Sequence, residues 1–283
     1  MPQPRKHSGG LKRDLEILSV VASAEAFTQG GLGVNRIAEL AGRDKGQTSR
    51  VLSTLAQTGL VDRDQKTRRY SLGHALYSLA MRTKEAHLAM QSEARLLELV
   101  AQTQETAHLN VLRGGRLLTI KTVVSASALR RSGWDGMIFP AGRTASGRAL
   151  LSALSDDEIA LWWQEHAEDS PLEMDMEDLP EPTEPINTAI TKRNRPAKSL
   201  PEFLALIQEV RERGYAISDE AFQAGIVDAA ALVRDSSNQV IAAISVGTPK
   251  ERVRDQLDPF GQIVAAAALR LSQDLGAPII GPA

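Results

Sequence analysis

Near the amino end, two helical stripes of apolar residues are joined by only four residues, which dictates helix, tight turn, helix. Val34, Ile37, Ala38 and Ala41 recur at i, i+3, i+4, i+7 and stop at Gly42. Asp44 can cap the next helix, with Gln47 three positions on closing a capping box, and Val51, Leu52 and Leu55 form its buried stripe before Gly59 ends it. A stripe of Leu11, Leu15, Leu18 and Ala22 predicts a helix ahead of the pair, broken by Gln29-Gly30-Gly31-Leu32-Gly33. The turn Ala41-Gly42-Arg43-Asp44 has the length that joins the helices of a DNA-binding helix-turn-helix.

At about 100° per residue, Val51, Leu52, Leu55 and Thr48 fall on one side of the last helix, and Gly46, Ser49, Arg50, Ser53 and Gln57 on the other. Solvated helix faces usually mix charges of both signs, but this outer face has no carboxylate, since Asp44 sits only at the cap. It offers one arginine able to grip guanine bidentately, small hydroxyls for phosphate, and a glycine that permits close backbone approach. The pattern predicts a groove-reading helix in which Arg50 touches base edges, while Lys45, Gln47, Thr48 and Ser49 fix it against phosphates or neighbouring bases and Ser53 shares the face.

Leu60 to Asp64 and Arg68 to Gly73 read as two short strands joined by Gln65-Lys66-Thr67. On this hairpin Arg63, Lys66, Arg68 and Arg69 suit backbone phosphates or a minor groove, giving affinity more than sequence choice. A winged helix-turn-helix over residues 11–74 accounts for helices and hairpin together. Charge agrees, because residues 1–74 hold 12 Lys and Arg against 7 Asp and Glu, although the whole chain carries −2. The remainder is acidic and would be repelled by phosphates. One helix reads too few base pairs alone, so the expected partner is a double-stranded operator with inverted half-sites, bound by a homodimer or a dimer of dimers.

With 283 residues, a second domain is expected. Residues 75–106 lack Pro and Gly, and Leu76, Leu79, Ala80, Met90, Ala94 and Leu97 mark helical stripes, which predicts one long or kinked linker helix with an apolar face to bury in dimerisation. In the domain expected over 107–276, Gly114-Gly115 joins one hairpin and Ser236-Ser237-Asn238 another. Helices are predicted at Ser146 to Leu154, Pro201 to Arg213 and Arg254 to Leu275, making the class α+β with an antiparallel sheet and flanking helices. Residues 156–184 hold 12 acids, no Lys or Arg, and three prolines, and read as a mobile surface loop within an acidic insertion over 156–200. Residues 1–10 and 277–283 read as tails.

Several function classes fall away. The chain has no cysteine, hence no thiol nucleophile, disulfide or cysteine metal site, and this suits the cytoplasm. No apolar run approaches a membrane span, and no phosphate-binding glycine loop, zinc helix motif or serine elbow occurs. His7, His74, His87, His108 and His166 are scattered without ligand spacing, and His108 within a strand can face a pocket, reading as a satisfied or solvated histidine before a catalytic base. Met81, Met90 and Met137 read as core filling. No enzyme, cofactor or metal is expected. The alternatives are a winged-helix protein whose second domain is catalytic or purely dimerising, and a winged helix that binds protein.

Asp44-Lys45-Gly46-Gln47-Thr48-Ser49-Arg50-Val51-Leu52-Ser53-Thr54-Leu55 and Arg69-Tyr70-Ser71-Leu72-Gly73 resemble the winged helix of the IclR family of bacterial transcriptional regulators. Pro140 to Leu151 resembles the start of that family's effector domain helix. Arg211 to Glu220, Gly225, Ala229-Ala230 and Ala242 to Gly247 resemble its tail segment. The likeness spans about Leu11 to Leu275. It implies a GAF-like effector domain, a dimer or dimer of dimers, and DNA binding switched by a small metabolite, in members that usually regulate catabolic operons and include both repressors and activators. A repressor answering to an aromatic or other small carboxylate, hydrazide or amide is expected.

The resemblance also places the effector in a cup formed by the Arg131 to Phe139 loop, Ala145 and Ser146, and the Ser218 to Asp228 segment beside Ser245 and Gly247. In that cup, helix-end amides at Ala145 and Ser146 would attract an anionic or carbonyl oxygen, Ser245 would donate or accept, Arg131 would pair with a carboxylate and Asp228 would suit a ligand's hydrogen. Departures from the family pattern are the longer acidic stretch before Pro201, Asp228 in place of an uncharged residue, Ser218 in place of the first of two acids, and Gly247 in place of a frequent serine.

Overall fold

Short connections and caps build the amino-terminal part of the chain in the order the stripes require. The computed structural model describes residues 9–126, 134–168, 197–222, 225–253 and 256–278, and the chain divides into two units, Met1–His87 and Leu88–Ala283. The first unit holds α1 (Gly9–Val21), α2 (Ala24–Thr28), α3 (Val34–Leu40), α4 (Lys45–Gln57), β1 (Val61–Arg63), β2 (Tyr70–Leu72) and α5 (His74–Ala80). The helix expected from Leu11 is split, because Ser23 accepts the Ala26 N–H and caps a separate α2. Asp44 caps α4 by accepting the Gln47 N–H at 3.0 Å, and Gly42, at φ +61°, supplies the left-handed step of the tight turn. Ile17, Val21, Ile37, Leu52, Val61 and Tyr70 close one core. Leu32 bridges Tyr70, so β2 is held on both sides.

The long or kinked helix expected over residues 75–106 is two helices. The Ala80 carbonyl accepts both the N–H and the hydroxyl of Thr83, and the same hydroxyl oxygen accepts the Ala86 N–H at 3.2 Å. One threonine thus stops α5 and starts α6 (Lys84–Thr103) without Pro or Gly, a local side-chain competition that periodicity does not register.

In the second unit α6 is followed by β3 (Ala107–Arg113), β4 (Arg116–Val123), β5 (Ile138–Phe139), a 3-10 turn (Ala141–Arg143), α7 (Ala145–Leu151), α8 (Asp156–His166), α9 (Leu200–Arg213), β6 (Ala216–Asp219), β7 (Ile226–Arg234), β8 (Val240–Pro249), α10 (Lys250–Val253) and α11 (Leu257–Asp274). The strands form one sheet in the order β5-β4-β3-β8-β7-β6, antiparallel throughout. Alternation along the strands gives the sheet two apolar faces. Leu109, Val111, Ala229, Ala231, Val233, Ile244 and Val246 pack with α6 and α11, whereas Leu117, Ala216, Ala230 and Ala243 pack with α7, α8 and α9.

Part of the expected acidic loop is ordered as α8. Ser155 and Glu158 form a reciprocal capping box, Asp156, Asp157 and Glu158 fill the first turn, and Ile159 and Trp162 are buried. Carboxylates at a helix amino end are stabilising, so the charge that reads as loop is here a start signal. Residues 169–184 of that stretch lie outside the described residues. The expected fold class therefore stands: an α+β chain with a winged helix-turn-helix followed by a helix-flanked antiparallel sheet. Among the described residues no helix is long and apolar enough to cross a membrane.

Candidate functional site

The buried stripe of α4 fixes which side chains it presents. Lys45, Gln47, Ser49, Arg50 and Ser53 are exposed together. Thr48 is not, because it is fully buried and its hydroxyl donates to the Asp44 carbonyl at 3.0 Å. Its expected contact with DNA is withdrawn on that ground, and the angle that places it beside Leu52 is the better guide. On the hairpin, Arg63, Lys66 and Arg68 are exposed, Arg63 lying 5.2 Å over the Tyr70 ring. Arg69 instead donates to the carbonyls of Gln29 and Gly31, and so holds the turn before α3 rather than facing outward.

Ion pairing sorts the remaining cations. Arg36 pairs with Glu25 and Glu39, and Arg43 with Asp14. Lys45, Arg50, Arg63, Lys66 and Arg68 have no ion pair among the described residues, so their charge is available to phosphate. Asp64 does not cancel it through disorder of the tip: its Oδ1 accepts from the N–H of Lys66 and from the N–H and hydroxyl of Thr67. Those bonds shape the wing and hold the Asp64 carboxyl below its ordinary range.

In the second unit a cavity of about 370 Å³ of atom-free space, its mouth included, opens between the sheet and the start of α7. Period-two spacing on β3 turns His108 and Asn110 to the same face, and pairing sets Ser245 opposite His108. Thr119 and Leu117 come from β4, Phe139 from β5, Asp228 from β7, and Thr144, Ala145 and Ser146 from the head of α7, with Trp134 and Phe222 completing the lining. Thr144 caps α7 by accepting the Gly147 N–H at 3.1 Å. Gly147 lets that helix lie against the preceding turn, since a Cβ there would sit 2.0 Å from the Ala141 carbonyl oxygen.

A polar network is built into the wall. Asn110 Nδ2 donates to Ser146 Oγ at 2.9 Å and to Ser245 Oγ at 3.0 Å, while Thr119 donates to Asn110 Oδ1 at 2.8 Å. All four residues are buried. Both serines act as acceptors here, so each keeps a hydroxyl hydrogen to donate. His108 stacks on Trp134 at 4.7 Å with ring planes 8° apart. Burial lowers His108 to about 4, so the imidazole is neutral at physiological pH. Thr122 Oγ1 accepts the Trp134 N–H and lies 3.2 Å from His108 Nδ1.

Asp228 is pushed up to about 7, by burial first and against the pull of Arg148. The buried Arg148 is itself lowered to about 10 by desolvation and donates from Nε to the Gly142 carbonyl at 3.1 Å. Two departures from the family pattern prove to face each other, because a Cβ at Gly247 would lie 2.6 Å from Asp228 Oδ1. The small residue at 247 makes room for the carboxyl at 228.

Of the residues expected to form the cup, Phe139, Ala145, Ser146, Asp228 and Ser245 line the cavity. Ser218 shares the sheet face but is fully buried, its hydroxyl donating to the Arg143 carbonyl at 3.2 Å, and it is corrected from ligand contact to support. Gly247 stands behind Asp228 rather than in the lining, and Arg131 lies outside the described residues. His108 faces the cavity, as its strand position allowed. Trp134 and Phe222 lie within the two segments expected to form the cup, whereas Asn110, Thr119 and Thr144 were not expected there, although His-x-Asn at strand spacing was a visible signal. A larger hollow of about 1100 Å³ beside Ser152, Arg211, Arg234 and Leu269 has neither an aromatic wall nor this network.

Residues 10–65 match the IclR helix-turn-helix domain, and residues 80–178 and 186–273 match the bacterial transcriptional regulator IclR C-terminal domain. The chain is 27% identical to the HTH-type transcriptional regulator XynR of Escherichia coli K12, over 95% of this chain and 97% of that one. It is 29% identical to the glycerol operon regulatory protein of Streptomyces coelicolor, over 94% and 99%. Among solved structures, an IclR homolog from Microbacterium hydrocarbonoxydans complexed with 4-hydroxybenzoate superposes with a TM-score of 0.72 at 18% identity, covering 94% of this chain and 98% of that one.

Proposed function

Because this chain belongs to the IclR family of bacterial transcriptional regulators, we propose that it represses a catabolic operon and releases its operator when a small aromatic carboxylate, hydrazide or amide enters the cavity of the second unit. Regulation of transcription, with a DNA-binding unit and a ligand-binding unit, is common to the family matched. The particular effector class rests on one observation: hydroxyl donors of Ser146 and Ser245 face a wall of His108, Trp134, Phe139 and Phe222, which suits a flat ring with one polar end. The 4-hydroxybenzoate complex of the M. hydrocarbonoxydans homolog supports this, since that ligand is a ring of the same kind. A mobility-shift assay on the DNA upstream of the chain's own gene tests it. Aromatic acids and amides at millimolar concentration are expected to release the complex, and an operator bound equally well in their presence would remove the effector reading.

The working form, in the same reading, is a homodimer or a dimer of dimers on an inverted repeat. Tyr77 and Leu79 on α5 and Met90 and Leu97 on α6 expose large apolar surfaces at 53–71%, more than helices of this length leave in water. Light scattering at micromolar concentration is expected to give at least twice the 30.6 kDa chain mass. A stable monomer that still binds operator at full affinity would refute it.

A further inference from the structure

The cavity is unbalanced in its hydrogen-bonding groups, and a selectivity drawn from that imbalance rests on the reading that a small organic effector occupies it. On one side, Ser146 and Ser245 each have one lone pair engaged by Asn110 and a hydroxyl hydrogen left to give. On another side stands Asp228, whose carboxyl receives no hydrogen bond from any described residue. Among the described residues, His108 from β3 lines the same cavity and Arg148 from α7 acts on the carboxyl. His108 is neutral, and Arg148 acts through its field while its Nε is turned to the Gly142 carbonyl. No cation stands among the described lining residues. Gly247 keeps the space beside Oδ1 open.

A ligand that satisfies this cavity brings an acceptor to the two serines and a hydrogen to Asp228, with its ring against Trp134 and Phe139, themselves 5.2 Å apart by centroid. An aromatic carboxylate supplies the acceptor but has no hydrogen to give, and it places a second negative charge beside a half-buried acid. Like charges shielded from bulk water repel, and an acceptor covered by a ligand and left unmet loses its hydration without return. We infer that the cavity selects an aromatic ligand whose polar end bears a nitrogen donor over the matching carboxylate, a carboxamide meeting both the serines and Asp228 and an amidinium meeting Asp228 alone, and that Asp228 is the residue that sets this choice. Discrimination of this kind works by penalising the wrong partner as much as by favouring the right one.

Calorimetric titration of the full-length chain with benzamide, benzamidine and benzoate at pH 8 and pH 5.5 tests the inference. At pH 8 benzamide and benzamidine are expected to bind at least ~10-fold tighter than benzoate. The ratio should narrow at pH 5.5 as Asp228 takes up a proton, while His108 remains neutral and Arg148 charged. In Asp228→Asn, which keeps the size of the side chain, the ratio should fall within ~3-fold at both values of pH. Benzoate binding as tightly as benzamide at pH 8, or a ratio that survives Asp228→Asn, overturns the charge selection and leaves the aromatic effector standing. If none of the three probes binds a chain that still shifts its operator, the aromatic effector falls, and the selection falls with it.

Discussion

Alanine in place of Arg50 is expected to weaken operator binding by about 1–3 kcal/mol, a loss of roughly 5- to 150-fold, and to relax the preference at one base pair per half-site. The substitution leaves the packing of the helix alone. Arg50 is exposed and without an ion pair among the described residues, its side chain's only described bond being a weak Nε contact to the Gly46 carbonyl at 3.4 Å. Alanine is the best helix former, so α4 and its buried residues Thr48 and Leu52 should keep their places. What is lost is then a contact to DNA and not a fold. Lys66→Ala on the wing makes the comparison, because a phosphate contact lowers affinity for every sequence alike and flattens the salt dependence by about one ion. Equal losses on operator and random duplex for Arg50→Ala would show that the arginine reads no base.

Asp228→Asn should make the protein more stable at pH 8, by about 1–4 kcal/mol, with the advantage shrinking toward pH 5. An aspartate in the unfolded chain ionises near its ordinary 3.8, whereas burial holds Asp228 at about 7 in the fold. Between those values the folded state keeps a proton that the unfolded state has released, so this group's contribution is full at low pH and is lost as pH rises through 7. Asparagine cannot ionise and removes the dependence. It also forfeits the attraction to Arg148, but burial is the larger influence on Asp228, so the net change stays stabilising. Denaturant unfolding of both proteins at pH 5, 6.5 and 8 measures the difference, and a gap that does not grow with pH would contradict the assignment. A residue that weakens its own fold at neutral pH is what a binding cavity retains and a core replaces.

Much of this was legible in the chain itself, for reasons that differ between the two units. The winged helix could be read because its signals are local: a cap at Asp44, a glycine at Gly42, and stripes whose angles place Arg50 outward and Leu52 inward. Thr48 and Arg69 were misassigned because residue type suggested an outward contact, while burial of the one and the carbonyls of Gln29 and Gly31 for the other are tertiary facts. The cavity was half visible. Strand spacing pairs His108 with Asn110, but their meeting with Ser146 and Ser245 joins positions 36 and 135 residues away from Asn110. Trp134 and Phe222 lie in the two segments the family resemblance named, but those segments have no period from which to single them out. The break at Thr83 and the helix α8 escaped because single side chains, a hydroxyl and a capping glutamate, decided them.

The order of strands has a consequence for how the protein comes into being. Strand β3 pairs with β8, Ala107 meeting Val246, so the central sheet cannot close until almost the whole chain has been made. The first unit, ending at His87, already contains every residue of its own core. At ~5–20 residues per second, a ribosome needs on the order of ten to thirty seconds to pass from the one point to the other. During that interval each new molecule carries a finished reading head and no switch, and nascent chains that reach DNA early would be deaf to the effector until β8 emerges.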